Sequence, residues 1–171
     1  MNNLIHKYIP KISSDILGTT NQKHIQYIKN WLKTFQKSKD NNITSIVICG
    51  PHGVGKTSAV KLLLQESEYN IKYLSSSNLK QYKTIKDIIP TSNINLLFND
   101  FNKTAIVIDD SETITLTSEK NTLLQLFKDN EISKKHPIIF ITNEQHSKLI
   151  SDIKKSCVEQ SIFHFQLLVL H

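Results

Sequence analysis

The segment Gly50-Pro51-His52-Gly53-Val54-Gly55-Lys56-Thr57 constrains this chain more than any other, because it holds three of the four glycines in 171 residues. Before it stands Ser45-Ile46-Val47-Ile48-Cys49, rich in β-branched residues and without a polar face, which reads as a buried strand. After it, Lys56 to Glu66 has helical spacing. A strand, a glycine-rich turn and a helix opening on Lys-Thr make the G-x-x-x-x-G-K-[ST] pattern, a P-loop, whose backbone N–H groups can wrap a polyphosphate. At average glycine usage of about 7% the pattern arises by chance in roughly one such chain in a hundred, and the flanking strand and helix reduce that further. Gly50 to Thr57 are thus expected to hold the phosphates of ATP. The helix adds its positive dipole end, Lys56 reaches the β- and γ-phosphates, and the Thr57 hydroxyl ligates Mg²⁺.

Three more apolar runs read as central strands, Ile71-Lys72-Tyr73-Leu74, Ala105-Ile106-Val107-Ile108 and Pro137-Ile138-Ile139-Phe140-Ile141-Thr142, with a fifth over Ser161 to Phe165. Helical spacing falls between them, over Lys56 to Glu66, Leu79 to Ile89, Glu119 to Lys128 and Gln145 to Lys154. This alternation predicts an α/β fold with right-handed crossovers. Ahead of the first strand, Ile25, Ile28, Leu32 and Phe35 form one apolar stripe and Lys29, Lys33 and Lys37 another face, as in an amphipathic helix docked on the sheet. The lysine stripe reads first as a solvated face and second as a phosphate contact. Asp40-Asn41-Asn42 would end that helix. No linker or repeat divides the chain, so residues 1–44, an N-terminal segment, and 45–171, the P-loop core, form a single domain.

Charge is unevenly placed. The net charge is +6, of which residues 1 to 40 carry +5, from seven lysines against Asp15 and Asp40. That hints at a polyanionic partner. All 21 basic residues are lysines, so no arginine is available for catalysis. No apolar run approaches the ~18 residues that span a bilayer, and the first residues lack the apolar centre of a secretory signal. Cys49 and Cys157 have no metal-ligand spacing and read as thiols of a reducing intracellular compartment: nucleus, cytoplasm or a viral replication site.

Two further elements fit the P-loop. Asp109 ends the Ala105 to Ile108 strand, where an aspartate would hold the Mg²⁺ shell. Asp110 stands next as the expected general base, one methylene shorter than glutamate, and Glu112 is an acid at the wrong offset. Asn143 follows the Pro137 to Thr142 strand, where its amide would sit beside the γ-phosphate and orient water.

In order along the chain these residues resemble the AAA+ core of the large subunit of replication factor C, the sliding-clamp loader. Lys7-Tyr8-Ile9-Pro10, Ile16-Leu17-Gly18 and Asn30-Trp31-Leu32 are similar to that family's K-Y-x-P, I-x-G and W-L pattern. Ser75-Ser76-Ser77-Asn78 stands where it has N-A-S-D, and Pro137 to Asn143 resembles its sensor-1 strand. The likeness covers roughly residues 4 to 165. It implies a five-stranded parallel sheet flanked by helices, a phosphate-binding segment running on to Ser58, and Tyr8, Pro10, Ile16 and Gly18 bordering the adenine. It also implies duplex DNA facing Lys80, Lys83 and Lys86. The expected partners are other clamp-loader-like AAA+ subunits carrying an arginine finger, the sliding clamp and DNA.

The family follows this core with a helical lid bearing a sensor-2 arginine and then a collar. The chain ends at His171 with the lid apparently absent, as expected of a fragment or of a reduced viral or parasitic version. Lys155-Ser156-Cys157 falls where small subunits carry S-R-C, with Ser156 in the arginine's place, and large subunits also lack that arginine. The leading expectation is therefore partner-dependent ATP hydrolysis in DNA replication or repair. A non-hydrolysing, nucleotide-bound interaction module is the rival that Asp110 suggests. A small P-loop kinase would need arginines to clamp two phosphoryl substrates.

Overall fold

Runs of Ile and Val too short and too apolar for surface helices pair side by side in a computed structural model of the protein, which describes residues 10–16, 18–37, 43–79, 81–82, 88, 103–143, 148–156 and 161–166. The strands are β1 (Ser45–Cys49), β2 (Asn70–Leu74), β3 (Thr104–Ile108), β4 (Ile138–Thr142) and β5 (Ile162–His164). They form one sheet in the order β2-β3-β4-β1-β5, every pair parallel. Cys49 lies opposite Thr142, and Ile108 lies opposite Phe140. Because the strands run the same way, the turns that follow β1, β3 and β4 leave from one edge of three adjacent strands. In open α/β sheets that carboxyl edge is where ligands bind.

Period-2 alternation gives the sheet two buried faces. Ile46 and Ile48, Ala105 and Val107, and Ile139 and Ile141 point to one of them. There they meet α1 (Thr19–Lys37) through Ile25, Ile28, Trp31 and Leu32, and α2 (Lys56–Glu66) through Ala59, Val60, Leu63 and Leu64. Val47 and Cys49, Ile106 and Ile108, and Ile138 and Phe140 point to the other face. That face is covered by Leu79 of the short α3 (Ser76–Leu79), Leu123, Leu126 and Phe127 of α4 (Thr117–Ser133), and Leu149, Ile150 and Ile153 of α5 (Lys148–Ser156). Each fully buried Ile or Leu contributes about 1.5–3 kcal/mol, so these two layers decide the fold.

The amphipathic helix expected ahead of β1 is α1, and its apolar stripe packs as the spacing requires. Trp31 Nε1 donates to the Ile43 carbonyl (2.9 Å), fixing the approach to β1. Asn21 clasps residue 166 after β5, donating to its carbonyl (3.1 Å) and accepting from its N–H (3.0 Å). Lys29 leaves the solvated stripe to pair with Glu66 at the end of α2 (2.8 Å), while Lys33 is exposed. The same carboxylate accepts from Ser13 N (2.6 Å) and Ser13 Oγ (2.8 Å), so the segment before α1 is tied to the helix that starts at the P-loop. Burial pushes the Glu66 pKa up, but the hydrogen bonds from Lys29 and Ser13 outweigh it and leave the group below its ordinary value. Residues 10–16 and α1 therefore pack against α2 and the sheet.

Element boundaries differ from those the spacing predicts. The helix expected over Leu79 to Ile89 is instead preceded by α3, which ends at Leu79, because the Asn78 side chain accepts from Ser75 N (2.8 Å) and winds the turn early. Gln81 and Tyr82 continue as turn, Ile88 is a buried helical residue, and most of the rest lies outside the described residues. α4 runs longer than Glu119 to Lys128, and α5 begins at Lys148, the preceding residues 144–147 being outside the description. Asp40 to Asn42 and Cys157 also lie outside it, whereas Cys49 is buried in the sheet.

Candidate functional site

The turn after β1 is held by backbone conformations that side chains resist. Gly53 and Gly55 have φ of +79° and +87°, with open space around each position, so the need there is conformational. Gly50 is different, because an added Cβ would meet the Phe165 carbonyl oxygen at 2.4 Å. The first P-loop glycine therefore lets β5's exit pass close by. The loop feeds straight into α2, whose first residue is Lys56. The buried Lys56 ammonium donates to the Gly50 and Pro51 carbonyls, both at 2.8 Å. Val54 packs against the core beneath α1 and α2.

Two strands away β3 delivers its acids. Thr57 Oγ1 donates to Asp109 Oδ2 (3.0 Å), although the two residues stand 52 apart in the chain. Asp109 Oδ1 accepts from Asp110 N (2.9 Å). Asp110 itself has φ of +46°, a left-handed conformation that costs a non-glycine residue of order 1 kcal/mol or more, and it is exposed. A tight 3-10 turn follows, Ser111–Thr113. It is anchored on both sides, by the fully buried Ser111, whose Oγ donates to the Ile141 carbonyl (2.9 Å), and by Ile114 in the core.

That turn decides where Glu112, expected as an acid at the wrong offset, comes to lie. Four residues in an extended chain would carry it past the site, but the 3-10 turn folds it back, and Glu112 Oε2 accepts from Asn143 N (3.4 Å). Asn143 leaves β4 next to the P-loop, its Nδ2 lying 3.3 Å from His52 Nε2. A cleft of about 260 Å³ opens among these groups, lined by His52, Gly53, Gly55, Lys56, Thr57 and Ser58 on one side and by Asp109, Asp110, Glu112, Ile141, Thr142 and Asn143 on the other.

The three sequence elements thus meet at one sheet edge, as β3, β4 and β1 are neighbours. Pro10, Ile16 and Gly18 do not line this cleft. Ile16 is buried in the layer of α1 and α2, and Gly18, φ +99°, starts α1 against Asn21. Tyr8 and the lysines 80, 83 and 86 lie outside the described residues. Sequence reasoning passed over Ser111 and Thr142, which carry no motif. Thr142 lines the cleft with its Oγ1 buried and without a hydrogen-bond partner among the described residues. It also missed Tyr73, whose pKa is raised by burial first and by the Asp109 carboxylate second, a sign of how far that charge reaches toward β2.

The chemistry of this edge fits a nucleoside triphosphate with its cation. Left-handed glycines and a helix N-terminus suit phosphates, and a hydroxyl beside a carboxylate supplies the hard oxygen ligands that Mg²⁺ takes. A parallel five-stranded sheet with a P-loop after β1 and an acid after β3 defines a P-loop nucleotide-binding domain. The model of the ATPase family associated with various cellular activities (AAA) matches residues 46–165, and the chain belongs to that family.

Curated relatives narrow the likeness. The chain is 31% identical to a putative replication factor C large subunit of Acanthamoeba polyphaga mimivirus, over 90% of this chain and 32% of that protein. It is 26% identical to a replication factor C large subunit of Methanosarcina acetivorans, over 90% of this chain and 24% of that one. It therefore spans a third or less of these relatives' length. Among solved structures, AMPPCP-bound DnaA from Aquifex aeolicus superimposes with a TM-score of 0.61 at 14% identity, over 94% of this chain and 52% of that one. A DNA replication initiation factor gives 0.62 at 19% identity, over 95% and 50%. At such identities these two speak for the fold alone. No helix among the described residues is long and apolar enough to cross a membrane.

Proposed function

We propose that this chain is the ATP-holding AAA+ core of a clamp-loader-like subunit acting in DNA replication or repair, whose ATP hydrolysis depends on partner subunits. The observation that carries the reading is the contact of Thr57 with Asp109 across the cleft, beneath a loop built of left-handed glycines. In this reading the backbone from Gly50 to Ser58 cradles the phosphates. Lys56 moves its ammonium from the loop carbonyls to the β- and γ-phosphates. Thr57 and Asp109 hold Mg²⁺, which neutralises charge on the phosphate oxygens. Asn143 offers its amide to the γ-phosphate or the attacking water, and a carboxylate of the turn after β3 orients that water. Tyr8, Pro10, Ile16 and Gly18 border the base. Lys80, Lys83 and Lys86 face duplex DNA, whose phosphates would be bound through counterion release.

Phosphoryl transfer in such sites gains ~10³ to 10⁵ in rate from an arginine at the γ-phosphate. This chain has none among its 21 basic residues, and lysine offers one mobile charge where guanidinium offers a rigid fork. In this reading the arginine comes from a neighbouring subunit of a hetero-oligomer, with a sliding clamp and DNA as further partners. The purified chain should bind ATP and turn it over far below about one per second. Adding arginine-bearing clamp-loader subunits, with clamp and primed DNA, should accelerate it. Brisk hydrolysis by the pure chain, abolished by Lys56→Ala, would refute partner dependence.

Asp110 favours a second reading, a nucleotide-bound interaction module that does not hydrolyse, because it is shorter than glutamate and exposed. Retained triphosphate after days with all partners present would select it.

A further inference from the structure

We infer that Glu112, not Asp110, is the carboxylate that accepts the proton of the attacking water in this site. The inference rests on the ATPase reading and deepens it. Both acids line the cleft, but they are held differently. Asp110 sits at φ +46° and exposed, its backbone carbonyl occupied by Thr113 N and Thr113 Oγ1, both at 2.8 Å. Glu112 is half-buried, on a turn pinned by the Ser111 hydroxyl to the Ile141 carbonyl and by Ile114 to the core.

Glu112 also carries a methylene more than Asp110, and one of its oxygens already lies at 3.4 Å from the Asn143 N–H. Carboxylate and amide therefore converge at the same corner of the cleft, across from Lys56 and Thr57 on the P-loop side. Among the described residues one Glu112 oxygen is engaged, by Asn143 N, and the other can accept from an attacking water. That is the arrangement a general base needs: within hydrogen-bond reach, and held from outside the reacting atoms.

The step balances without another reactant. The water oxygen bonds to the γ-phosphorus as the bond from that phosphorus to the β–γ bridging oxygen breaks. The electron pair leaves with ADP. The water proton passes to the Glu112 carboxylate and then to solvent.

Three forms of the chain, unaltered, Glu112→Gln and Asp110→Asn, would be compared in Mg²⁺ buffer. Binding of ATP and of ADP is titrated by fluorescence, and hydrolysis is followed over a day with protein in excess of radiolabelled ATP. Glutamine keeps the oxygen that the Asn143 N–H requires, so a merely structural Glu112 would lose nothing in that variant. With Glu112 as the base, its hydrolysis falls by roughly a hundredfold or more. ATP binds it about threefold tighter or better while ADP affinity stays unchanged, because a negative charge facing the γ-phosphate has gone. Asp110→Asn loses clearly less hydrolysis than Glu112→Gln.

An unchanged rate in Glu112→Gln overturns the inference, as does an equal or larger loss in Asp110→Asn. Absence of any hydrolysis by the unaltered chain, alone and with arginine-bearing clamp-loader subunits, overturns it too, while intact ATP binding leaves nucleotide binding standing. Failure of all three forms to bind ATP would instead sink the underlying reading.

Discussion

The same three strands end in opposite ways at the two edges of the sheet. At the carboxyl edge of β1, β3 and β4 the polar groups open into a cleft: Thr57 against Asp109, Glu112 and Asn143 at the corner, and the Thr142 hydroxyl buried without a partner among the described residues. At the amino edge they close on one another. The fully buried Asn130 of α4 donates from Nδ2 to the His136 carbonyl (2.7 Å) and accepts from His136 N (3.2 Å). The His136 ring reaches the Thr104 carbonyl at the start of β3 (3.1 Å), and Thr44, before β1, donates to Glu131. Backbone strain does not follow this division: the P-loop glycines and Asp110 stand at the carboxyl edge, but Glu68 (φ +58°) and Lys134 (φ +48°) stand ahead of β2 and β4 at the amino edge. One edge keeps its hydrogen-bonding capacity for a ligand and the other spends it on the fold, so a substitution should damage binding at one and stability at the other.

Lys56→Ala is the hardest test of that division. It removes the fixed cation opposite the phosphates, and charged hydrogen bonds of this kind contribute about 1.5–3 kcal/mol each. With two or more lost, ATP affinity should drop by more than about a hundredfold. The circular-dichroism spectrum should be unchanged. Equal dissociation constants for a fluorescent ATP analogue would remove the P-loop from the binding site and erase the contrast between the edges.

Asn130→Ala makes the reciprocal case. Two hydrogen bonds to the His136 backbone vanish, and partly buried backbone groups lose their partners at a cost of about 2 kcal/mol together. For a domain of this size that is a fall in Tm of roughly 4–8 °C. ATP affinity should hold, since none of the cleft-lining residues touches Asn130 through these bonds. A variant that melts normally but binds ATP poorly would show that the two edges are not separable.

How much of this was legible in the sequence differs in the same way. The strands were, because β-branched runs such as Ser45–Cys49 have no other place to go than a doubly covered sheet. The P-loop and Asp109 were, because phosphate and cation chemistry dictates residue types at fixed offsets. Glu112 was not, because its position depends on a 3-10 turn three residues long and on a left-handed Asp110, neither of which leaves a periodic trace. The amino-edge network was not legible either. Asn130 and His136 are unremarkable polar residues until the helix C-terminus folds them together, and the ring's partner, Thr104, stands 32 residues away in the chain. Lys29 read as part of a solvated stripe, and only tertiary packing brings it to Glu66.

The smallest expected effect concerns the charge of the amino edge. Burial lowers the His136 pKa below its ordinary value of 6.5, the hydrogen bond with Thr104 opposes that, and nearby Lys135 adds to the lowering. His24, against Phe163 and Phe165 on the other face, is lowered by burial as well. A group whose folded pKa is depressed binds fewer protons in the native state than in the unfolded one. For an imidazole this means that stability is complete above the ordinary value and declines as pH falls through it toward the folded one. Urea midpoints taken from about pH 8 to pH 5 should therefore drift downward across the imidazole range. In His136→Asn, whose amide can still donate to the Thr104 carbonyl, the titrating group at this edge is gone and the drift should shrink to the part that His24 carries. ATP affinity, set at the far edge of the same strands, should not follow that difference. An unaltered drift in His136→Asn would mean that the amino edge is held by the Asn130 clasp alone and that the buried ring is a bystander.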